Sequence, residues 1–220
     1  MSTEVVLSAL KHVWTHLEPL RLPMAVMGGL ALSMWRHART TRDVDLLVNV
    51  EASNVEAVLE VLQRAGVRLK RHPPALQLGP FRLIQLLYEP PGAFVEAQVD
   101  LLLADSEYPK EALKRRVAAR LSGLDLSLYV LACEDLILHK LLAGRVIDRI
   151  DAAALLRLNR ASLDFAYMQV WIARLTLSAE WSEVWRGAFP DEAPPGVSSA
   201  SGSSSEKSAG AAGRDAGGKD

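Results

Sequence analysis

The chain has 220 residues, half of them hydrophobic, enough for one sizeable core or for one domain with a small appendage. Its net charge is -1, with residues 1–190 at +1 and residues 191–220 at -2, which excludes a global polyanion-binding signal and leaves any nucleic-acid contact to local patches. The single cysteine, Cys133, excludes an intramolecular disulfide and a cysteine metal cluster; with no secretory signal pattern and no apolar run near the ~20 residues that cross a bilayer, a soluble, cytoplasmic protein is expected.

Apolar residues at helical spacing (Val6, Leu10, Val13, Leu17), with Ser2 or Thr3 as a cap, predict a helix over residues 3–18. The run PMAVMGG reads as a short strand entering a tight turn at Gly28 and Gly29, and LALSMWRHA after it has helical composition. DVDLLVNV, from Asp43, reads as a strand; a helix that Ser53 is placed to cap follows from about Val55 to Ala65. FRLIQLLY and FVEAQVDLLLA read as a hairpin across the turn-forming EPPG. A charged helix around Lys110–Arg116 precedes two β-like pieces, RVAARL and LSLYVL. From CEDLIL onward the pattern is helical, with SLDFAYMQVWIARLTLSAEW read as one helix. The segment from Asp191 is rich in Ser, Gly, Ala and Pro and reads as a disordered tail. The expected fold is α/β (α+β): a mixed sheet flanked by helices over residues 1–130, a helical part over 131–190, and the tail over 191–220.

Asp43 and Asp45 stand out because Asp is depleted in strands and their neighbours are apolar. On a strand they share one face, about 7 Å apart along the chain, and two like charges that close are unfavourable. A bound divalent metal removes that cost: Mg²⁺ takes one or two carboxylates and fills its other positions with water and substrate phosphates. Such a site needs a place for phosphates, which Gly28 and Gly29 ahead of a predicted helix supply. It also needs a further carboxylate, for which Asp100 in the strand AQVDLLL is the candidate if its strand lies beside that of Asp43 and Asp45. Three carboxylates around metal suit in-line displacement at phosphorus.

Other residues stay open on pattern alone. Lys140 reads equally as a phosphate contact or as a snorkelling lysine on an amphipathic helix. Asp148 and Asp151 read as site acids or as exposed partners of Arg145 and Arg149. Cys133 and His139 read as structural, and the five tryptophans fall mostly at helical-core positions. Two basic clusters, Arg64, Arg68, Lys70, Arg71 with His72, and Lys110, Lys114, Arg115, Arg116 with Arg120, read as RNA-tracking patches or as solvated faces.

The glycine pair, a spacer of about a dozen residues, Asp-x-Asp between apolar residues and a later strand Asp together resemble the DNA polymerase β-like nucleotidyltransferase superfamily. The run RTTRDVD is similar to the Arg-x-Thr-x-Asp-(Val/Ile)-Asp of its AbiEii/AbiGii abortive-infection toxin group, here Arg39, Thr41, Asp43, Val44 and Asp45. HKLLAGRVIDRIDAAAL is similar to a helical segment of that group through Lys140, Arg145, Asp148 and Asp151, with Lys140 and Asp148 expected on one helix face. The resemblance covers about residues 20–158. It implies a nucleotidyltransferase core over 1–130, completed by the helical part, that moves an NMP from an NTP to an acceptor hydroxyl with Mg²⁺ (or Mn²⁺). Asp43, Asp45 and Asp100 would hold the metal, Gly28, Gly29, Arg39, Thr41 and Lys140 would bind the nucleotide, and Asp148 would belong to the active site.

The resemblance also implies an RNA acceptor, the 3′ end of tRNA among them, and a cognate antitoxin as partner. A protein hydroxyl or a small molecule such as an aminoglycoside is the alternative acceptor. RNA predicts a basic cluster beside the aspartates; a small molecule predicts an enclosed acidic pocket. A non-catalytic nucleotide- or protein-binding module predicts that Asp100 or Lys140 points away from Asp43 and Asp45.

Overall fold

A computed structural model describes residues 2–78 and 81–195, so the expectation of a disordered tail falls mostly outside the described residues. At its start, Glu192 is tied down by Arg160 and accepts from Trp185 Nε1 through its backbone oxygen. The chain runs α1 (Thr3–Leu17), β1 (Met24–Met27), α2 (Gly28–Leu32), β2 (Asp43–Val48), α3 (Val55–Arg64), β3 (Arg68–Leu69), β4 (Ala75–Leu78), β5 (Phe81–Tyr88) and β6 (Ala97–Leu103). It continues through α4 (Glu107–Lys114), β7 (Val117–Arg120), β8 (Ser127–Val130), α5 (Cys133–Ala143), α6 (Val146–Asn159), α7 (Phe165–Arg174) and α8 (Ser178–Ala188).

The strands form one mixed sheet in the order β3-β5-β6-β2-β1-β8-β7, with β4 also on β5. The pairs β2–β6 and β1–β8 are parallel and the rest antiparallel. On β2, Val44, Leu46 and Val48 are fully buried on one face, while on the other Asp43 and Asp45 are partly exposed and Leu47 is buried. Helix α1 packs on β2 and β6 with Val6, Leu10, Val13 and Leu17 fully buried, each burial contributing about 1.5–3 kcal/mol. Ser2 caps it by accepting from the Val5 amide, as its sequence predicts. The expected hairpin is β5–β6, and the two β-like pieces are the β7–β8 hairpin.

Four expectations change. The glycine pair itself opens the five-residue α2, and the residues after it add only its last turn and a short 3₁₀ turn, stopped by Arg36 in the left-handed region at φ 64°. The charged helix starts earlier than Lys110, at Glu107, because Pro109 is tolerated in a first turn. SLDFAYMQVWIARLTLSAEW is two helices, α7 and α8: Asp164 caps α7, and Thr176 at φ 59° turns the chain before α8. The segment holding Lys140 and Asp148 is also two helices, since Gly144 at φ 65° ends α5. No helix among the described residues is long and apolar enough to cross a membrane.

Candidate active site

Parallel pairing of β2 with β6 sets Asp45 level with Asp100 and Asp43 level with Gln98, so all three aspartates stand on one face of two adjacent strands. Each offers an oxygen, and these oxygens lie within 4.8 Å of one another. Hydrogen bonds support two of the three. Thr41 Oγ1 donates to Asp43 Oδ1 at 2.7 Å, and Asp100 accepts from Gln98 Nε2 (2.9 and 3.1 Å) and from Gln85 Nε2 (3.3 Å).

Burial above all, then the charges of Asp43 and Asp100, push the Asp45 carboxyl up to about 7, against the pull of Lys140 and Arg145. Burial likewise raises Asp100, with the Gln98 and Gln85 amides opposing it. Three oxygen donors this close fit a hard divalent cation such as Mg²⁺ or Mn²⁺.

The glycine pair does its work by close approach. Gly28 has φ +61°, and a Cβ there would stand 1.8 Å from Asp45 Oδ2; a Cβ on Gly29 would stand 2.6 Å from Thr41 Cβ and Oγ1. The two glycines therefore let the β1–α2 backbone lie directly against the side chains that carry and support the carboxylates.

Across the cavity, Lys140 on α5 reaches Asp148 Oδ1 (2.8 Å) and Asp151 Oδ2 (2.9 Å) on α6. They meet because the chain turns a corner at Gly144, not because they share a helix face. Lys140 is 6% exposed, which removes the snorkelling alternative, and Asp148 and Asp151 are fully buried. Arg145 forks onto Asp148 (2.6 and 3.2 Å), while Arg39 Nε and His37 Nε2 meet Asp151 at 3.0–3.2 Å. Burial pushes both carboxyls up, but hydrogen bonds from Arg145 and Lys140 at Asp148, and from Lys140 and His37 at Asp151, leave each below its ordinary value.

These groups line one cavity of about 730 Å³. Gly28, Gly29, Arg39, Thr41, Arg42 and the three aspartates line it together with Lys140, Arg145 and Asp148. Phe81, Leu83, Leu102, Leu136 and Leu142 form an apolar part beyond Asp100. All of the expected site residues, Gly28, Gly29, Arg39, Thr41, Asp43, Asp45, Asp100, Lys140 and Asp148, therefore converge on one chamber.

The two basic clusters separate. Lys70 of the first cluster donates to Gln98 Oε1 at 2.5 Å, one amide away from Asp100, while Arg64 and Arg68 pair with Glu60 and Glu96. In the second, Arg115 turns inward to Glu134 and Asp135 and lies 3.8 Å from the Tyr167 ring centroid, and Arg116 donates to Leu113 O. Cys133 is buried away from the chamber, and burial pushes its thiol up to about 12; His139 lines the chamber, its imidazole pushed down to about 3 by burial between the Phe81 and Tyr108 rings. Sequence reasoning missed His37, Gln85 and Gln98. Gln98 alone carried a signal, as the polar residue two before Asp100 on the same strand face.

A family model described as nucleotidyl transferase AbiEii toxin, Type IV TA system, matches residues 12–179. No curated protein matches the sequence. Among solved structures, the chain is similar to a solution structure of the antibiotic-resistance factor ANT(2″)-Ia, with 14% identity and a TM-score of 0.51 over 82% of this chain and 95% of that one. A putative nucleotidyltransferase from H. pylori aligns at 15% identity and a TM-score of 0.49 over 84% and 77% of the two chains. The lincosamide antibiotic adenylyltransferase LnuA, solved with lincomycin bound, aligns at 14% identity and a TM-score of 0.45 over 66% and 93%.

Proposed function

The chain belongs to the AbiEii nucleotidyltransferase toxin family, and from that premise we propose that it uses Mg²⁺ (or Mn²⁺) to move an NMP from an NTP to a hydroxyl of RNA, tRNA included, as the toxin of a toxin–antitoxin pair. The observation that carries this reading is the meeting of Asp43, Asp45 and Asp100 oxygens within 4.8 Å, in the chamber that also holds Lys140 and Arg145.

Asp43, Asp45 and Asp100 would hold the metal, which when bound would supply positive charge to the reacting phosphate oxygens. Lys140 and Arg145 face the negative charge of the triphosphate, and Arg39 adds to it from the same chamber. Gly28 and Gly29 keep the chain free of side chains where phosphates approach the carboxylates. Asp100 receives the acceptor's proton. The acceptor oxygen bonds to the α-phosphorus as the bond from that phosphorus to the α–β bridging oxygen breaks, and pyrophosphate leaves.

Lys70 favours RNA over a cationic small molecule, because it sets a positive charge from the Arg64–His72 cluster beside Asp100. The test pairs the wild type with an Asp43→Ala/Asp45→Ala variant, each α-labelled NTP and Mg²⁺, with total bacterial RNA in one arm and a protein extract in the other. Label is expected in RNA with the wild type alone; label confined to a protein band would overturn the RNA acceptor.

A further inference from the structure

On the side of Asp100 away from Asp43 and Asp45, the sheet continues through β5 to β3. The register brings a polar ladder to the carboxylate face there. Gln98 lies two residues before Asp100 on β6, Gln85 lies opposite Asp100 on β5, and the Lys70 amide just past β3 donates to the Gln85 carbonyl. The side chains join across three strands: Lys70 Nζ to Gln98 Oε1 at 2.5 Å, then Gln98 Nε2 to both oxygens of Asp100 at 2.9 and 3.1 Å.

A glutamine amide has a donor end and an acceptor end that differ only in orientation. Here an ammonium stands at one end and a carboxylate at the other, so both contacts are charge-assisted and both demand the same orientation. Turning the amide over would set oxygen against carboxylate and NH₂ against ammonium. Lys70 thus locks the amide, and the amide locks Asp100. The result at Asp100 is asymmetric: Oδ1 accepts from Gln85 and Gln98, while Oδ2 accepts from Gln98 alone and keeps a lone pair for another partner. Thr41 does the corresponding work for Asp43, and Asp45 accepts no side-chain hydrogen bond from the described residues.

We propose that Gln98, locked by Lys70, is a positioning residue that presents Asp100 Oδ2 to the metal. The inference rests on the metal reading above. Partners that orient metal-ligating side chains are worth about 10–100-fold in affinity or activity.

The test is Mn²⁺ titration of the purified full chain, followed by the loss of free-ion paramagnetic signal, with a thermal melt beside each variant. Gln98→Met keeps the length of the side chain and removes both ends of the amide. It is expected to raise the Mn²⁺ Kd about tenfold or more and to lower kcat while the KM for NTP holds. Lys70→Met, on an exposed side chain, is expected to raise the Kd by less than the roughly tenfold of Gln98→Met, because Gln98 remains, and Lys70→Arg to restore it. Wild-type Kd values in both Gln98→Met and Lys70→Met would overturn the positioning role alone. If Gln98→Met does not fold, an unchanged Kd in Lys70→Met overturns it by itself. A wild type that binds no Mn²⁺ would overturn the metal reading, and this inference with it.

Discussion

Gly28→Ala puts a methyl group where the Asp45 carboxylate already is. The Cβ would stand 1.8 Å from Oδ2, 2.6 Å from Cγ and 2.9 Å from Cβ of Asp45, whereas ordinary contact begins at 3.4 Å. The carboxylate oxygen must retreat by about 1.6 Å, and a displacement of ~1 Å at a reacting centre costs about 100-fold in rate. The backbone adds its own cost, since φ +61° is left-handed and a non-glycine residue there costs about 1–2 kcal/mol. For a chain of this length that is a fall of about 2–8 °C in Tm. Gly66 separates the two effects: it has φ +81° and nothing within 4 Å of an added Cβ, so Gly66→Ala carries the backbone cost without the collision. NTP transfer and thermal melts on both variants are expected to show a fall in Tm in each, larger in Gly28→Ala because Asp45 Cβ must also give way, with activity down about 100-fold in Gly28→Ala alone. Equal activity in the two variants would refute the claim that Gly28 exists to clear Asp45.

Lys140→Met leaves buried Asp148 and Asp151 short of a partner and is expected to cost about 3 kcal/mol in denaturant unfolding. Adding Asp148→Asn and Asp151→Asn is expected to recover most of that stability but no activity; recovered activity would remove Lys140 from phosphate binding. His139 gives a pH dependence. Its folded value of about 3 lies below the ordinary 6.5, so between those values the unfolded chain binds the extra proton and stability falls as pH falls. From pH 7 to 5 that loss is about 2 kcal/mol, and His139→Phe, compared with wild type by urea unfolding at both pH values, is expected to lack it. Arg115→Ala removes the cation facing Glu134 and fully buried Asp135 and is expected to cost about 3 kcal/mol in the same assay. NTP binding should be unchanged in that variant, because Arg115 does not line the active chamber.

Much of the site was readable because strand alternation is strict: Asp43 and Asp45 had to share a face whatever lay beside them. That Asp100 would be level with Asp45 was a conditional reading, since no local pattern says that β6 lies parallel to β2. The same limit hid Gln85, whose place is set only by the β5–β6 register. Lys140 and Asp148 were expected together for the wrong reason. Their spacing of eight fitted a continuous helix, yet Gly144 ends α5 and tertiary folding returns Asp148 to the lysine. The break between α7 and α8 was invisible to periodicity because Thr176, unlike a glycine or proline, gives no local signal for a left-handed turn. The basic clusters looked alike in composition and differ in what they face, which composition does not encode.

In this chamber an NTP is expected to break between its α- and β-phosphates. A pair of reactions with the wild-type chain, Mg²⁺ and RNA, one with α-labelled and one with γ-labelled NTP, tests this with pyrophosphate release followed in both. Label is expected in RNA from the α-labelled NTP alone, with one pyrophosphate released for each NMP transferred, and neither signal with Asp45→Asn. Label in RNA from the γ-labelled NTP, or transfer undiminished by Asp45→Asn, would contradict it.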